Sequence, residues 1–364
     1  GALTSFNRAT VLTPAYADAY SNRGNVLKEL GQLSEALASY ERAISIHPDN
    51  AEYHYNRGNI LLPLNRFAEA VESFEMALAI VPKLPYAFGA LLHSRMHCCD
   101  WHELDSSFTK IVKANSGGEK VSVPFFFLAI PSGSDQQKRC AQIYAHDKYP
   151  VYVSPVWAGE RYVHKRIRVG YFSSDFRNHA MAYLIAEMIE RHDRSRFEII
   201  AFSFSPPTDS PIRQRLEKAF DRFIDVSAMS DQDIALLSRQ TEIDIAIDLN
   251  GYTANSRAEI FAMRHAPIQV NHLGYPGTLG ANFIDYIIAD QTVIPEGRMS
   301  DFSEQIVYLP NTYWFNDSTQ EISDRPFSRA ELGLPDDRFV FCCFNNSYKI
   351  TPDVFDIWMR LLSS

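Results

Sequence analysis

Four short polar segments hold the residues whose types and spacing can do chemistry. Lys349 stands in Asn345-Asn346-Ser347-Tyr348-Lys349-Ile350, directly before Thr351-Pro352-Asp353. That triplet is a helix start, with threonine as cap and proline at the first helical position. A lysine beside free helix N–H groups suits an anion such as a diphosphate. His179 closes Val169-Gly170-Tyr171-Phe172-Ser173-Ser174-Asp175-Phe176-Arg177-Asn178, where an apolar run turns polar and a helix begins. It could accept or relay a hydroxyl proton, or serve only as a cap. Asn250, Gly251, Tyr252 and Thr253 follow another apolar run, whose Asp248 is either a strand-end carboxylate aimed at the site or an N-terminal cap partner. Gly274-Tyr275-Pro276-Gly277-Thr278-Leu279-Gly280 lies between two further apolar runs. Three glycines and a proline in seven residues bring bare backbone close to something, whether phosphate, sugar or a tight turn.

Alternating elements must position these segments. Strands are predicted at 167–172, 197–204, 243–249 and 283–288, with a further strand leading into the glycine loop. Helices are predicted at 179–191, 210–220, 231–239 and 256–264. Apolar strands alternating with helices imply a parallel sheet covered on both faces. Ligands then bind beyond the carboxyl ends of the strands, where all these polar loops fall. A new unit begins near Asp336, with a strand predicted at 339–344 and the helix after Thr351. The loops together describe a cleft between two Rossmann-like halves.

Upstream, the chain overlays itself at a shift of 34 residues. Pro14, Pro48 and Pro82 align, as do Asn22-Arg23-Gly24-Asn25 with Asn56-Arg57-Gly58-Asn59, Ala36 with Ala70, Tyr40 with Phe74, and Ala43 with Ala77. That period and its Gly/Ala/aromatic/Pro pattern resemble the tetratricopeptide repeat. Two full repeats span about 15–82, a degenerate third follows, and the chain opens inside the second helix of an earlier one. Stacked repeats make a concave groove suited to extended peptide. Asn22 and Asn56 could clamp a peptide backbone there, each amide offering donor and acceptor, or could bond between helices. Ala90 replaces the asparagine in the third repeat.

Composition narrows the function classes. A net charge of −9 disfavours nucleic acid as the main partner. No run of 18 apolar residues suggests a membrane span. The five cysteines stand as Cys98-Cys99, Cys140 and Cys342-Cys343, without a CxxC pair for zinc. They fit buried thiols in a reducing, cytoplasmic setting.

The segments RVGYFSSDFRNH, NGYTANSRAEIFAMRHAPIQ, LGYPGTLGANFIDYIIADQ and FNNSYKITP resemble the catalytic region of the O-linked N-acetylglucosamine transferases and their SPINDLY-like bacterial relatives. That family also carries tetratricopeptide repeats ahead of its catalytic part. The resemblance implies an α plus α/β chain: repeats over 1–115, a packed connector over 116–165, the Rossmann-like N-terminal half of a GT-B fold over 166–325, and the start of a nucleotide-binding half over 326–364. On this reading the chain is truncated at both ends. The implied activity is inverting transfer of N-acetylglucosamine from UDP-GlcNAc to Ser or Thr of proteins. Its partners are a nucleotide sugar and acceptor proteins held by the repeats, and it needs no metal or other cofactor. By motif, His179, Lys349 and Tyr348 are implied as catalytic. Asp175, Asn250, Thr253, Asn346 and the loop Gly274, Tyr275, Pro276, Gly277, Thr278 are implied to bind the donor. Asn346, where animal relatives have glutamine, also resembles the fucosyltransferase branch, which keeps GDP-fucose open as donor. A peptide-binding scaffold without catalysis is the other alternative.

Overall fold

The computed structural model describes residues 1–149 and 155–363. The Ser154 end of the predicted connector therefore lies outside the described residues. The chain divides into two compact units, one of residues 1–132 with 341–364 and one of residues 133–340.

The first unit is built from helices. α1 (Ala2–Leu12), α2 (Ala17–Glu29), α3 (Leu33–Ile46), α4 (Ala51–Leu61), α5 (Phe67–Ile80), α6 (Ala87–His97), α7 (Leu104–Ser116) and the short α8 (Pro124–Phe127) follow in order. α2 pairs with α3 and α4 with α5, as the 34-residue period predicts. α1, α3 and α5 each stop two residues before Pro14, Pro48 or Pro82. The repeated spacing has a packing cause. A Cβ on Gly24 would sit 2.7 Å from the Tyr40 ring, and one on Gly58 2.5 Å from Phe74. Only glycine lets those aromatic rings seat against the facing helix. Ala36, Ala43, Ala70 and Ala77 are fully buried at the same contacts. Arginine also repeats with the period: Arg23 donates to Ser39 Oγ and Arg57 to Ser73 Oγ, both at 2.6 Å. Each reaches back one helix as well, Arg23 to Asn7 (2.7 Å) and Arg57 to Glu41 (3.5 Å).

The third repeat departs from this pattern for a visible reason. A Cβ on Gly89 would strike Ser122 rather than a helix ring. The chain after α7 folds onto the start of α6 instead, where Tyr86 N–H donates to Lys120 O (2.6 Å) and Gly89 N–H to Val121 O (2.9 Å).

In the second unit, α9 (Ser134–Lys148) precedes a seven-stranded, all-parallel sheet. Its elements are β1 (Ile167–Ser173), α10 (Ala180–Glu190), β2 (Phe197–Ser203), α11 (Pro211–Ala219), β3 (Arg222–Asp225), α12 (Asp231–Gln240), β4 (Ile245–Asp248), α13 (Glu259–Ala262), β5 (Ile268–His272), β6 (Tyr286–Ala289) and β7 (Gln305–Tyr308). Strand order is β3-β2-β1-β4-β5-β6-β7. The winding direction reverses between β1 and β4, paired with Phe172 opposite Asp248. Both faces are covered. Val169, Tyr171, Ile199 and Ile247 pack with Ile185, Ile189 and Leu216 of α10 and α11. Phe172, on the opposite face, stacks on Phe202 (4.4 Å) and meets Phe261 of α13 edge-on.

Several elements differ from the sequence reading. β3 and β7 were not expected; each has four partly exposed residues at a sheet edge, too short for a periodic signal. The helix predicted over 256–264 shrinks to α13. Arg257 is drawn away to Asp231 (2.5 Å) and to Met229 O (2.7 Å), which holds the preceding residues in turns. The strand predicted over 283–288 starts three residues later, because the Asp285 carboxylate accepts Gln269 N–H (2.8 Å) before the ladder begins. The strand expected at 339–344 does not form. A strand is stable only within a sheet, and no described strand lies alongside it; Phe339 and Phe344 are 79% and 97% exposed. The helix after it does form, as α14 (Pro352–Ser363) in the first unit.

Candidate functional site

The reversal between β1 and β4 is where an open parallel sheet leaves a crevice at its carboxyl edge. The loops after these two strands carry Ser174, Asp175 and His179 on one side and Asn250 and Thr253 on the other. Asn250 is fully buried and ties the two loops together. Its Oδ1 accepts Ser174 N–H (2.8 Å), and its Nδ2 donates to Ser174 Oγ (2.9 Å), Asp175 Oδ2 (3.0 Å) and Thr253 Oγ1 (3.3 Å). A buried amide with both ends engaged fixes its neighbours, because any rotation strands polar atoms away from water.

Asp248 resolves as a turn cap. Its Oδ1 accepts the N–H groups of Asn250 (2.9 Å) and Gly251 (3.0 Å). Burial pushes its carboxyl up to about 6 despite those two donors. Gly251 turns with φ +56°, a left-handed conformation.

His179 is the N-cap of α10. Its Nδ1 accepts Met181 N–H at 3.2 Å, and Asp175 Oδ1 lies 3.8 Å from the same nitrogen. With Nδ1 accepting, the neutral ring carries its proton on Nε2 and presents a donor. Arg177, which the sequence reading left aside, reaches Asp175 Oδ1 at 3.4 Å.

The glycine loop meets the rest of its own unit. A Cβ on Gly274 would lie 1.9 Å from Leu249 O, so this backbone presses on the end of β4. Gly280, at φ +62°, packs on Ala141 and Gln142 of α9, where a Cβ would come within 2.6 Å of backbone. Tyr252 OH donates to Leu279 O (2.7 Å) and bridges the two predicted segments. Thr278 donates to buried Glu304 (2.6 Å), whose other oxygen accepts Leu279 N–H (2.7 Å). Burial raises the Glu304 carboxyl above its usual range. Tyr275, Gly277 and Thr278 are buried, and Pro276 is the exposed tip. Glu304 was missed because nothing near it in sequence marks it as a partner of a loop 26 residues earlier.

Asn346, Tyr348 and Lys349 belong to the first unit, with α6. Lys349 is exposed and its Nζ lies 5.8 Å from the Tyr348 ring centroid. No carboxylate among the described residues pairs with it. Asn22 and Asn56 lie on α2 and α4, and their side-chain amides make no hydrogen bond to any described residue. The interhelical bond considered for them is thus not made.

Helical repeats joined to an all-parallel α/β unit, with polar loops gathered at the strand-order reversal, define a repeat-fused Rossmann-like protein. Residues 98–326 and 322–364 match the model of glycosyl transferase family 41, and the chain belongs to that family. Residues 1–31 and 24–64 match a TPR repeat model, and 51–84 a second tetratricopeptide model. Over 293 residues the chain is 35% identical to the probable UDP-N-acetylglucosamine–peptide N-acetylglucosaminyltransferase SEC of Arabidopsis thaliana, covering 75% of this chain and 30% of that protein. The Caenorhabditis elegans UDP-N-acetylglucosamine–peptide N-acetylglucosaminyltransferase is 41% identical over 157 residues, 43% of this chain and 14% of its own. The probable SPINDLY transferase of Solanum lycopersicum is 30% identical over 219 residues, 59% of this chain and 23% of its own. A solved structure of a Thermobaculum terrenum O-GlcNAc transferase mutant matches 99% of this chain and 62% of that one, with TM-score 0.63 and 27% identity. The chain thus spans under a third of the length of these curated relatives. Among the described residues no helix is long and apolar enough to cross a membrane.

Proposed function

We propose that the protein containing this chain transfers N-acetylglucosamine from UDP-GlcNAc to Ser or Thr hydroxyls of cytoplasmic proteins, with inversion at the sugar. The observation that carries this is the 35% identity to a relative of that named activity across three quarters of the chain. In such a transfer the sugar gains oxocarbenium character while negative charge grows on the departing diphosphate. Lys349, an amine with no acid paired to it among the described residues and three residues before the α14 start, is suited to meet that charge as it develops. No step in this reading requires a metal.

His179 would orient rather than deprotonate. Its Nδ1 is occupied by Met181 N–H, so the ring offers Nε2–H to a sugar or acceptor oxygen. Asn250 holds Asp175 and Thr253 in one arrangement at the sheet edge, which serves orientation, the main source of rate for a weak hydroxyl nucleophile. Acceptor polypeptide would lie along the repeats, where the Asn22 and Asn56 amides are available to its backbone.

The test is sugar transfer to a peptide library by the full-length gene product, offering UDP-GlcNAc and GDP-fucose in parallel, with and without EDTA. Transfer from UDP-GlcNAc that survives EDTA and is abolished by Lys349→Ala is expected. Transfer from GDP-fucose alone would move the protein to the fucosyl branch. Silence with both donors from folded protein would leave a peptide-binding scaffold.

A further inference from the structure

The segment bearing Lys349 is fastened at three points to the last helical repeat, and Lys349 is the residue left loose. Ser347 Oγ donates to His97 O at 2.7 Å. Trp101 Nε1 donates to Ile350 O at 3.2 Å, across 249 residues of sequence. Between these anchors the Tyr348 ring rests on two histidine rings, 5.0 Å from His93 and 4.9 Å from His97. The histidines are braced in turn. His97 stacks on Phe67 at 3.9 Å, His93 stacks on Phe126 at 4.1 Å, and their Nε2 atoms lie 3.2 Å apart. Burial lowers both rings, His93 to about 3, so neither places a positive charge beside the lysine. The Trp101 ring also meets Phe355 at 5.4 Å, which seats the first turn of α14.

We propose that Trp101, His93 and His97, on the third repeat, are positioning residues for Lys349. Ser347, Tyr348 and Ile350 are pinned, so the backbone of Lys349 is fixed while its amine stays free. With the backbone fixed, only the lysine stem has to reorient when charge appears on a leaving group. The pinning also gives the repeat a task beyond acceptor binding, since α6 and the turn after it carry the floor under the lysine loop. This inference rests on the transferase reading above.

The test uses the full-length protein with UDP-GlcNAc and an acceptor peptide. Trp101→Phe keeps a smaller ring facing Phe355 and deletes the N–H to Ile350 O. Ser347→Ala deletes only the hydroxyl to His97 O. Each is expected to lower kcat roughly 10- to 100-fold, the scale of a small misplacement of a catalytic group, with the acceptor KM unchanged. Calorimetric UDP affinity is then compared in four proteins: parent, Trp101→Phe, Lys349→Ala and the double variant. If Trp101 acts through Lys349, Trp101→Phe weakens UDP in the parent and changes nothing in the Lys349→Ala background. Equal weakening in both backgrounds would mean a general structural role and would overturn the proposal. Full kcat in Trp101→Phe and Ser347→Ala, with Lys349→Ala inactive, would overturn it while leaving the transferase reading intact. Full activity in Lys349→Ala would overturn the proposal and the role given to Lys349, while no transfer by the folded parent would overturn the transferase reading itself.

Discussion

Asn250→Ala tests the claim that one buried amide joins the two loops at the strand-order reversal. The substitution removes the acceptor for Ser174 N–H and the donors to Ser174 Oγ, Asp175 Oδ2 and Thr253 Oγ1. Ser174 is 3% exposed, so its amide would be left without water or partner, a cost of about 1–3 kcal/mol. Losing a donor to the Asp175 carboxylate, 7% exposed, costs about 1.5–3 kcal/mol more. The two hydroxyls lose only an incoming bond, and Thr253 keeps its own donation to Asn250 O (3.0 Å), so they add little. The expected loss is therefore about 2.5–6 kcal/mol, a large share of a domain's stability. Urea unfolding followed by circular dichroism should show the midpoint falling by about 1–2 M at an ordinary m-value. Native-state hydrogen exchange gives the sharper readout, because Asn250 Oδ1 is the acceptor that protects Ser174 N–H. That amide should lose protection well before the interior of β1. A stability loss under about 1 kcal/mol with Ser174 still protected would refute the bridging role.

Other outcomes follow from the same geometry. Gly274→Ala should prevent folding of the α/β unit or cost more than about 3 kcal/mol, since its Cβ would lie 1.9 Å from Leu249 O and backbone cannot yield as a side chain does; soluble yield and melting temperature report it. Gly58→Ala should cost about 1–3 kcal/mol by driving into the Phe74 ring, and Phe74→Leu in the same chain should recover part of it. Asp248→Asn keeps an oxygen for the Asn250 and Gly251 N–H groups but cannot ionise. The parent's folded carboxyl is raised from 3.8 to about 6, so the folded state binds the proton more tightly. Parent stability from this group is thus full below pH 3.8 and lost as pH rises to about 6, a swing of about 2–3 kcal/mol. Denaturation of parent and variant between pH 4 and 7 should show that the difference between them closes or reverses toward pH 7; parallel pH curves would contradict it.

The repeats were legible because their physics is periodic: a glycine, two alanines and an aromatic recur where two helices touch, and each is buried at that contact. β1, β2 and β4 were legible as apolar runs bounded by polar turns, and α10 and α14 by their starts. β3 and β7 were not, since four-residue edge strands exist only by pairing with a neighbour already formed. The same dependence explains why 339–344, apolar in sequence, stays out of strand.

The residue types of the site belong to the sequence by itself. Lys349 before a helix start, His179 at a strand-to-helix turn and a loop of three glycines and a proline are local facts, read from φ/ψ limits and hydrogen-bond inventory. Which of them meet was decided only by tertiary structure. Strand order placed β4 beside β1, so an amide at 250 could hold a backbone at 174. Packing placed a tryptophan at 101 beneath the carbonyl at 350. Contacts between residues so distant in sequence carry no local signature, because the free energy that selects them is burial shared across the whole unit rather than any preference of the residues themselves.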